Sequence, residues 1–298
     1  MTPSGEASGA PSVRQTDWTP SQYELERRKA RSTQERRRIA IAAVSSILVI
    51  GGLAAIVLTS SGWPVVQDTF FNVEYGLKVA PIIWQGFKVD LLLSVVAVVF
   101  IAAISLLVAL TRTSRSATLA PFRILAAVYV DAFRGIPLLL VLYLIGFGVP
   151  ALNLPWVSGA DVAVLGTAAI VITYSAYVAE VIRSGILSVH PSQRAAARSL
   201  GLSPTQTMRH VVLPQALRRV VPPLLNDSVS LLKDVGLVSV LGVVEGIRQA
   251  QILTAKSFIY SPYVVVAIMF LIVTIPLTRI TDRALARSIN RQNSQGNA

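Results

Sequence analysis

Five polar side chains interrupt one otherwise apolar stretch of the chain. They are Asn226, Asp227, Ser230, Lys233 and Asp234. In a helix, Asp227, Ser230 and Asp234 would share one face, and Asn226 and Lys233 repeat the seven-residue spacing one position earlier. Charges inside apolar segments are rare and are functional candidates by default. This face could line a path for a zwitterionic solute, or it could hold helices together and bond a facing subunit.

A second charged pair lies upstream, at Glu180 and Arg183. Their i,i+3 spacing allows an ion pair on a helix surface, worth a few tenths of a kcal/mol, roughly 0.2–0.5. We expect a structural role or one in shaping a gate. The residue types of catalysis do not converge, since the chain has no cysteine and His190 and His210 lack metal-ligand spacing. The sequence therefore predicts no catalytic residues and no metal site.

The composition identifies the environment of these charges. Of 298 residues, 53% are hydrophobic and 14% are charged, against roughly 25% charged in average soluble chains. The mean hydropathy is +0.61. A net charge of +12 would suit nucleic acid, but the basic residues flank apolar runs, as they do in cytoplasmic loops of membrane proteins. The sequence predicts an all-α integral membrane protein and excludes a soluble enzyme.

The apolar runs predict six membrane spans. Five are uncharged and about 20 residues long, as a bilayer crossing requires: 39–59, 91–110, 135–152, 162–179 and 257–278. A secretory signal is the alternative for the first, but its length favours a retained helix. The run 223–244 is doubtful by hydropathy, and the charge distribution decides in its favour.

Lys and Arg are unevenly distributed between the connecting segments. The rich segments are 1–38 with eight, 111–134 with four, 183–219 with six and 279–298 with four, whereas 60–90 and 245–260 hold two each. All the rich segments fall on one side only if residues 223–244 cross the membrane. The positive-inside rule then places both termini in the cytoplasm. Residues 1–38 are expected to form a disordered basic tail that could also attract anionic lipid, and 286–298 a short C-terminal tail.

The long segment 183–219 has the signals of a helix-turn-helix. Ala195–Leu200 favours helix, and Gly201 would end it in the left-handed conformation. Ser203 would then cap a second short helix, with Pro204 at its first position. Such a projection is either a docking element for another protein or an amphipathic loop.

The spacing Ala196-Ala197-x3-Gly201-x9-Val211-x-Leu213-Pro214 resembles the EAA loop of ABC-importer permeases. Further motifs resemble the polar amino acid branch of that family, and they cover about residues 84–285. They include Phe133-Arg134-Gly135-Ile136-Pro137, Ala176-Tyr177-x-Ala179-Glu180, Pro222-Pro223-x2-Asn226 and Leu231-Leu232-Lys233-Asp234. Ala195 departs from the pattern, because the family has Glu at that position.

The resemblance implies a type I ABC importer transmembrane fold, with five core helices plus the extra helix 39–59. It implies that a separate ATPase subunit docks on the loop, which forms the coupling helix. The docking residues would be Ala195, Ala196, Ala197, Gly201, Leu202, Ser203, Pro204, Leu213 and Pro214.

The expected function is that of a permease subunit in an ATP-driven importer of polar amino acids, located in the cytoplasmic membrane. Gly-x4-Gly-Lys-Ser/Thr does not occur, so ATP and Mg would bind the partner ATPase and this chain would not itself be an enzyme. The resemblance also implies a second permease subunit, identical or related, and an extracytoplasmic solute-binding protein. The alternative is a secondary, ion-coupled amino acid carrier, which would show internal repeats or broken helices at mid-membrane.

Overall fold

The computed structural model describes residues 21–114, 116–155 and 159–296, and within these ranges every regular element is helical. Contacts divide the chain into two compact units after Pro64. The first contains α1 (Gln22–Leu58), which begins at Ser21, whose side chain accepts a hydrogen bond from the Glu24 N–H. The predicted disorder of residues 1–38 is therefore wrong from Gln22 onward, because Glu, Leu, Arg, Lys and Gln favour helix. Residues 1–20 lie outside the described part.

The second unit contains the remaining helices. They are α2 (Trp63–Phe70), α3 (Val73–Thr113), α4 (Ala120–Gly135), α5 (Leu138–Tyr143), α6 (Val149–Ala151), α7 (Val162–Ser188), α8 (Pro191–Ser199), α9 (Pro204–Thr207), α10 (Leu213–Val235), α11 (Gly246–Ser257) and α12 (Ser261–Gly296). Single π turns follow α5 and α9, at Leu144–Gly148 and Met208–Val212. A 3-10 turn, Gly236–Leu241, continues α10.

Four segments of the described residues are long and apolar enough to cross a membrane. They are Gln34–Leu58, Trp63–Thr113, Val162–Ser188 and Ser261–Arg283. A fifth would be the pair Ala120–Gly135 and Leu138–Ala151, which is bent by 108°. The bend lies at Pro137, which cannot donate the backbone hydrogen bond that would continue α4. The bend therefore lies at the start of the predicted span 135–152, whose residues Leu138–Ala151 are helical.

The predicted span 223–244 also differs from the structure. The helix ends at Val235, and Gly242 has a φ of 95° at the end of the 3-10 turn. A left-handed residue of this kind stops a helix, and glycine adopts it without steric cost. The predicted span 223–244 is therefore helical as far as Leu241 but is not one regular α-helix, and its polar face over residues 226–234 lies wholly inside α10.

The core forms around α7, which packs against α3 and α10. Its residues Ile170, Ala176, Ala179 and Ile186 are fully buried. Close approach to α10 depends on Gly185, since a Cβ there would lie 2.2 Å from Cγ1 of Val220. α7 therefore packs between α3 and α10, and it positions the polar side chains of both helices.

Candidate coupling loop and translocation face

The loop after α7 is a rigid turn between two short helices. Gly201 has a φ of 83°, and the Leu202 N–H donates to the Ala197 carbonyl at 3.2 Å while the Gly201 N–H donates to the Arg198 carbonyl at 3.0 Å. These two bonds form a Schellman motif, which satisfies the last carbonyls of α8. The prediction that Gly201 ends this helix in the left-handed conformation is confirmed.

The second helix of the loop, α9, begins with a capping box. The Gln206 N–H donates to Oγ of Ser203 at 3.2 Å, and the Ser203 N–H donates to Oε1 of Gln206 at 2.8 Å. Pro204 occupies the first helical turn, where its missing N–H costs nothing. The predicted cap and proline position are confirmed, and together with the Schellman motif they hold the turn in one conformation.

Two arginines fasten the loop to the rest of the bundle. Nη2 of Arg194 donates to the Ile186 carbonyl at 2.6 Å, and Nη1 of Arg219 donates to the carbonyl of Ser188 and to its Oγ, the latter at 3.0 Å. Both acceptors belong to the last turns of α7. A force applied to the loop would therefore be transmitted to α7 and α10.

The predicted docking residues do not all face outward. Ala195, Ala196, Gly201, Ser203, Pro204 and Pro214 are exposed, Leu202 and Leu213 are half-buried, and Ala197 is buried. The pattern of the loop did not single out Leu200, whose side chain is 83% exposed beside Gly201.

The polar face of α10 is divided between two environments. Asp234 turns inward, and its Oδ2 accepts a hydrogen bond of 2.6 Å from the Tyr174 hydroxyl of α7. Asp227 is half-buried, and its Oδ2 is buried without a partner among the described residues. Asn226 and Lys233 are exposed, and Ser230 is half-buried. The five predicted residues therefore form a helix face but not one cluster.

Asp227 borders a cavity of about 200 Å³ between α4, α7 and α10. The cavity is lined by Arg134, Tyr177, Glu180, Val181, Ser184 and Asp227. It thus contains one guanidinium and two carboxyl groups around a volume of small-molecule size. Sequence reasoning placed Asp227 and Glu180 in separate motifs, and the fold brings them to the same cavity.

Glu180 is the centre of an ion-pair cluster. Its Oε1 lies 2.5 Å from Nη2 of Arg183, and its Oε2 accepts from Nε of Arg183 at 2.9 Å. Its Oε2 also lies 2.5 Å from Nη1 of Arg112, at the end of α3. The predicted pair is present, and Arg112 is an additional partner that lies 68 residues away in the chain. The cluster fastens α3 to α7 beside the cavity.

Replacing Tyr174 tests the bond that holds Asp234 inward. Tyr174→Phe should lower the thermal unfolding temperature, because a buried acceptor that loses its donor costs about 1–3 kcal/mol. Tyr177→Phe is the matched control. The Tyr177 hydroxyl also donates a hydrogen bond, at 3.1 Å to the Arg134 carbonyl, but this bond is exposed. Equal unfolding temperatures for the two variants in detergent would contradict a stabilising role of the Tyr174–Asp234 bond.

A family model decides the relationship of this chain. The model of the binding-protein-dependent transport system inner membrane component matches residues 116–291, more than half of the chain. The chain belongs to this family. The predicted permease family is thereby confirmed.

Curated relatives agree with the family. The probable glutamine ABC transporter permease protein GlnM of Bacillus subtilis is 38% identical over 198 residues, which are 65% of this chain and 87% of GlnM. The L-cystine transport system permease protein TcyB of the same organism is 32% identical over 247 residues, which are 82% of this chain and 98% of TcyB. The sequence similarity therefore extends over nearly the full length of TcyB.

Solved structures agree as well. A crystal structure of an amino acid ABC transporter with histidines is 32% identical, covers 71% of this permease and 96% of that chain, and superposes with a TM-score of 0.64. The MetNI methionine ABC transporter in an inward-facing conformation is 16% identical, with a TM-score of 0.51 and coverage of 69% and 94%. The latter likeness concerns the fold alone. Together with the curated relatives, these structures confirm the predicted type I ABC importer fold and the prediction of an amino acid ABC transporter permease.

Proposed function

We propose that this permease subunit moves polar amino acids inward across the cytoplasmic membrane by alternating access, driven by ATP hydrolysis on a separate subunit. The observation that carries the proposal is the similarity to amino acid permeases, extending over 82% of the chain in TcyB. Differential contacts of the partner with two states of the permease would supply the energy for switching. ATP and Mg would bind the partner ATPase.

The coupling loop is the proposed docking element for that ATPase. Support comes from its two capping motifs, its exposed Leu200 and its attachment to α7 through Arg194, while Arg219 joins α10 to the same end of α7. A rigid projection transmits a displacement without absorbing it in local rearrangement. Closure of an ATPase dimer on the loops of two permease subunits would therefore move α7 and α10.

The cavity between α4, α7 and α10 is the proposed point of solute contact. A zwitterionic amino acid presents a carboxylate and an ammonium group, which Arg134 and Asp227 could bind. The exposed Asn226 and Lys233 on α10 would face a second permease subunit, identical or related, across the path. Glu180 and Arg183 would form a gate at one end.

The distribution of Lys and Arg supports the topology. Both termini and the coupling loop would lie in the cytoplasm, and a solute-binding protein would deliver substrate on the opposite face. The basic residues before Ile39 would lie against membrane lipid at the cytoplasmic surface.

Copurification and uptake test the proposal. A tagged chain, extracted from its native host in mild detergent, should retain a P-loop ATPase, and proteoliposomes of the complex with the solute-binding protein should accumulate a polar amino acid only with internal ATP. Recovery of the chain alone, or uptake driven by an ion gradient without ATP, would contradict the importer and favour a secondary carrier.

A further inference from the structure

Two acidic side chains outside the cavity are completely buried against one another. Asp90 of α3 and Glu245, which precedes α11, are each 0% exposed. They lie 155 positions apart in the chain, yet Oδ2 of Asp90 accepts a hydrogen bond from the N–H of Gly246, the residue next to Glu245. Neither belongs to the coupling loop or to the cavity.

Three of the four carboxyl oxygens of this pair accept hydrogen bonds from backbone N–H groups. Oε2 of Glu245 accepts from the Ile247 N–H at 2.7 Å, and its Oε1 accepts from the Arg248 N–H at 2.8 Å. Oδ2 of Asp90 accepts from the Gly246 N–H at 3.0 Å. Oδ1 of Asp90 is fully buried and has no hydrogen-bond partner in the described part of the chain, so this oxygen is free to carry a hydrogen.

The surroundings do not neutralise the pair with a basic side chain. No Lys, Arg or His nitrogen of the described residues lies within 4 Å of either carboxyl group as an ion pair. Arg248, the charged residue of α11 that acts on Glu245, directs its Nη1 to Oε1 of Gln251 at 3.0 Å. Lys88 of α3 is exposed, and the facing residues Val266 and Phe270 of α12 are apolar.

Two ionised carboxylates in contact away from water repel each other and lose their hydration. One added proton removes the repulsion and leaves only one carboxylate to lose its hydration, as in other buried carboxyl pairs. The hydrogen bonds indicate which group holds it. Glu245 accepts two N–H bonds at a helix N-terminus, which favours its charged form, whereas Asp90 has one oxygen left to carry a hydrogen.

We propose that Asp90 and Glu245 form a proton-binding site, in which a proton on Oδ1 of Asp90 is donated to the Glu245 carboxylate. The bound proton joins α3 to the start of α11. Close approach of these two elements is built in, since a Cβ on Gly86 would lie 2.7 Å from the Glu245 carbonyl carbon and one on Gly246 would lie 2.9 Å from Oδ2 of Asp90.

The site has a defined effect on stability. At neutral pH the native state holds a proton that the unfolded chain has released, so the native state binds more protons and its stability falls as the pH rises. Asp90→Asn replaces the bridging hydrogen by an amide N–H and should remove this dependence. Glu245→Gln should be destabilising, because its amide would oppose a backbone N–H donor.

The test uses the full-length chain in lipid nanodiscs. Infrared spectroscopy at neutral pH should show a protonated-carboxyl C=O band that is lost in Asp90→Asn and kept in Asp131→Asn, an exposed control on α4. The unfolding temperature of the wild-type chain and of Asp131→Asn should fall with rising pH, whereas that of Asp90→Asn should not.

Three outcomes would overturn the proposal. A spectrum without the band, together with stabilisation by sodium chloride but not by choline chloride, would assign a metal cation to the site. A spectrum without the band, together with no stabilisation by either salt, would show that the site binds neither a proton nor a metal cation. A stable Glu245→Gln with a destabilised Asp90→Asn would place the proton on the other residue.

Discussion

Gly201→Asp is expected to abolish ATP-driven uptake while the permease still inserts and folds. Gly201 has a φ of 83°, and a Cβ there would meet no atom of this chain within 4 Å. The new side chain therefore projects into the space that the proposed ATPase partner would occupy. An unpaired carboxylate buried at an interface is strongly unfavourable. Uptake of a labelled amino acid by intact cells measures the effect, with membrane levels of the chain determined in parallel.

Gly201→Asn is the matched control. Asn has the same shape as Asp without the charge, and both residues tolerate the left-handed conformation at a cost of about 1–2 kcal/mol or less. We expect partial uptake in Gly201→Asn and loss in Gly201→Asp. Normal uptake in Gly201→Asp, at unchanged expression, would show that the turn does not touch the partner, and the proposed coupling role would then be wrong.

Local chemistry made the coupling loop predictable. The end of α8 at Gly201 and the start of α9 at Ser203 depend on bonds that reach at most a few residues along the chain. Short-range rules therefore suffice for them. The same rules did not predict that Ala197 is buried and Leu200 exposed, because that depends on how the loop lies against α7 and α10.

Long-range contacts account for what the sequence did not predict. The bonds between Tyr174 and Asp234 and between Arg112 and Glu180 join residues 60 and 68 positions apart. Hydropathy identifies the helices but contains no information on their mutual rotation, so partners on different helices remain unassigned. The predicted disorder is also wrong for residues 22–38 of α1. This segment is highly charged, but its residues favour helix.

The broken ends of two predicted spans have a common cause. Pro137 stops α4, and Gly242 ends the turn after α10 in a left-handed conformation. A hydropathy window averages over such residues, because proline and glycine are neither strongly polar nor strongly apolar. Backbone geometry, rather than side-chain polarity, therefore determines where these segments bend.

Glu180→Gln is expected to destabilise the permease and to slow transport. The carboxylate of Glu180 binds both Arg112 and Arg183. The side chain of Glu180 is 20% exposed, that of Arg112 is 13% exposed and that of Arg183 is 30% exposed. Removing the charge leaves two guanidinium groups close together without a counter-ion. Because hydrogen bonds to charged groups contribute about 1.5–3 kcal/mol and partial exposure screens them, we expect a loss of about 2 kcal/mol. The unfolding temperature in detergent measures it.

A double-mutant cycle separates the contact between helices from the contact within α7. Arg112→Ala and Glu180→Ala, alone and combined, should show a coupling energy of about 1–2 kcal/mol, within the range observed for residues of one ion-pair network. Asp68→Asn is the control, since Asp68 is an exposed carboxylate without an ion pair among the described residues. Coupling near zero, or an effect of Glu180→Gln equal to that of the control, would mean that the cluster does not join α3 to α7. In that case the proposed gate would have to lie elsewhere.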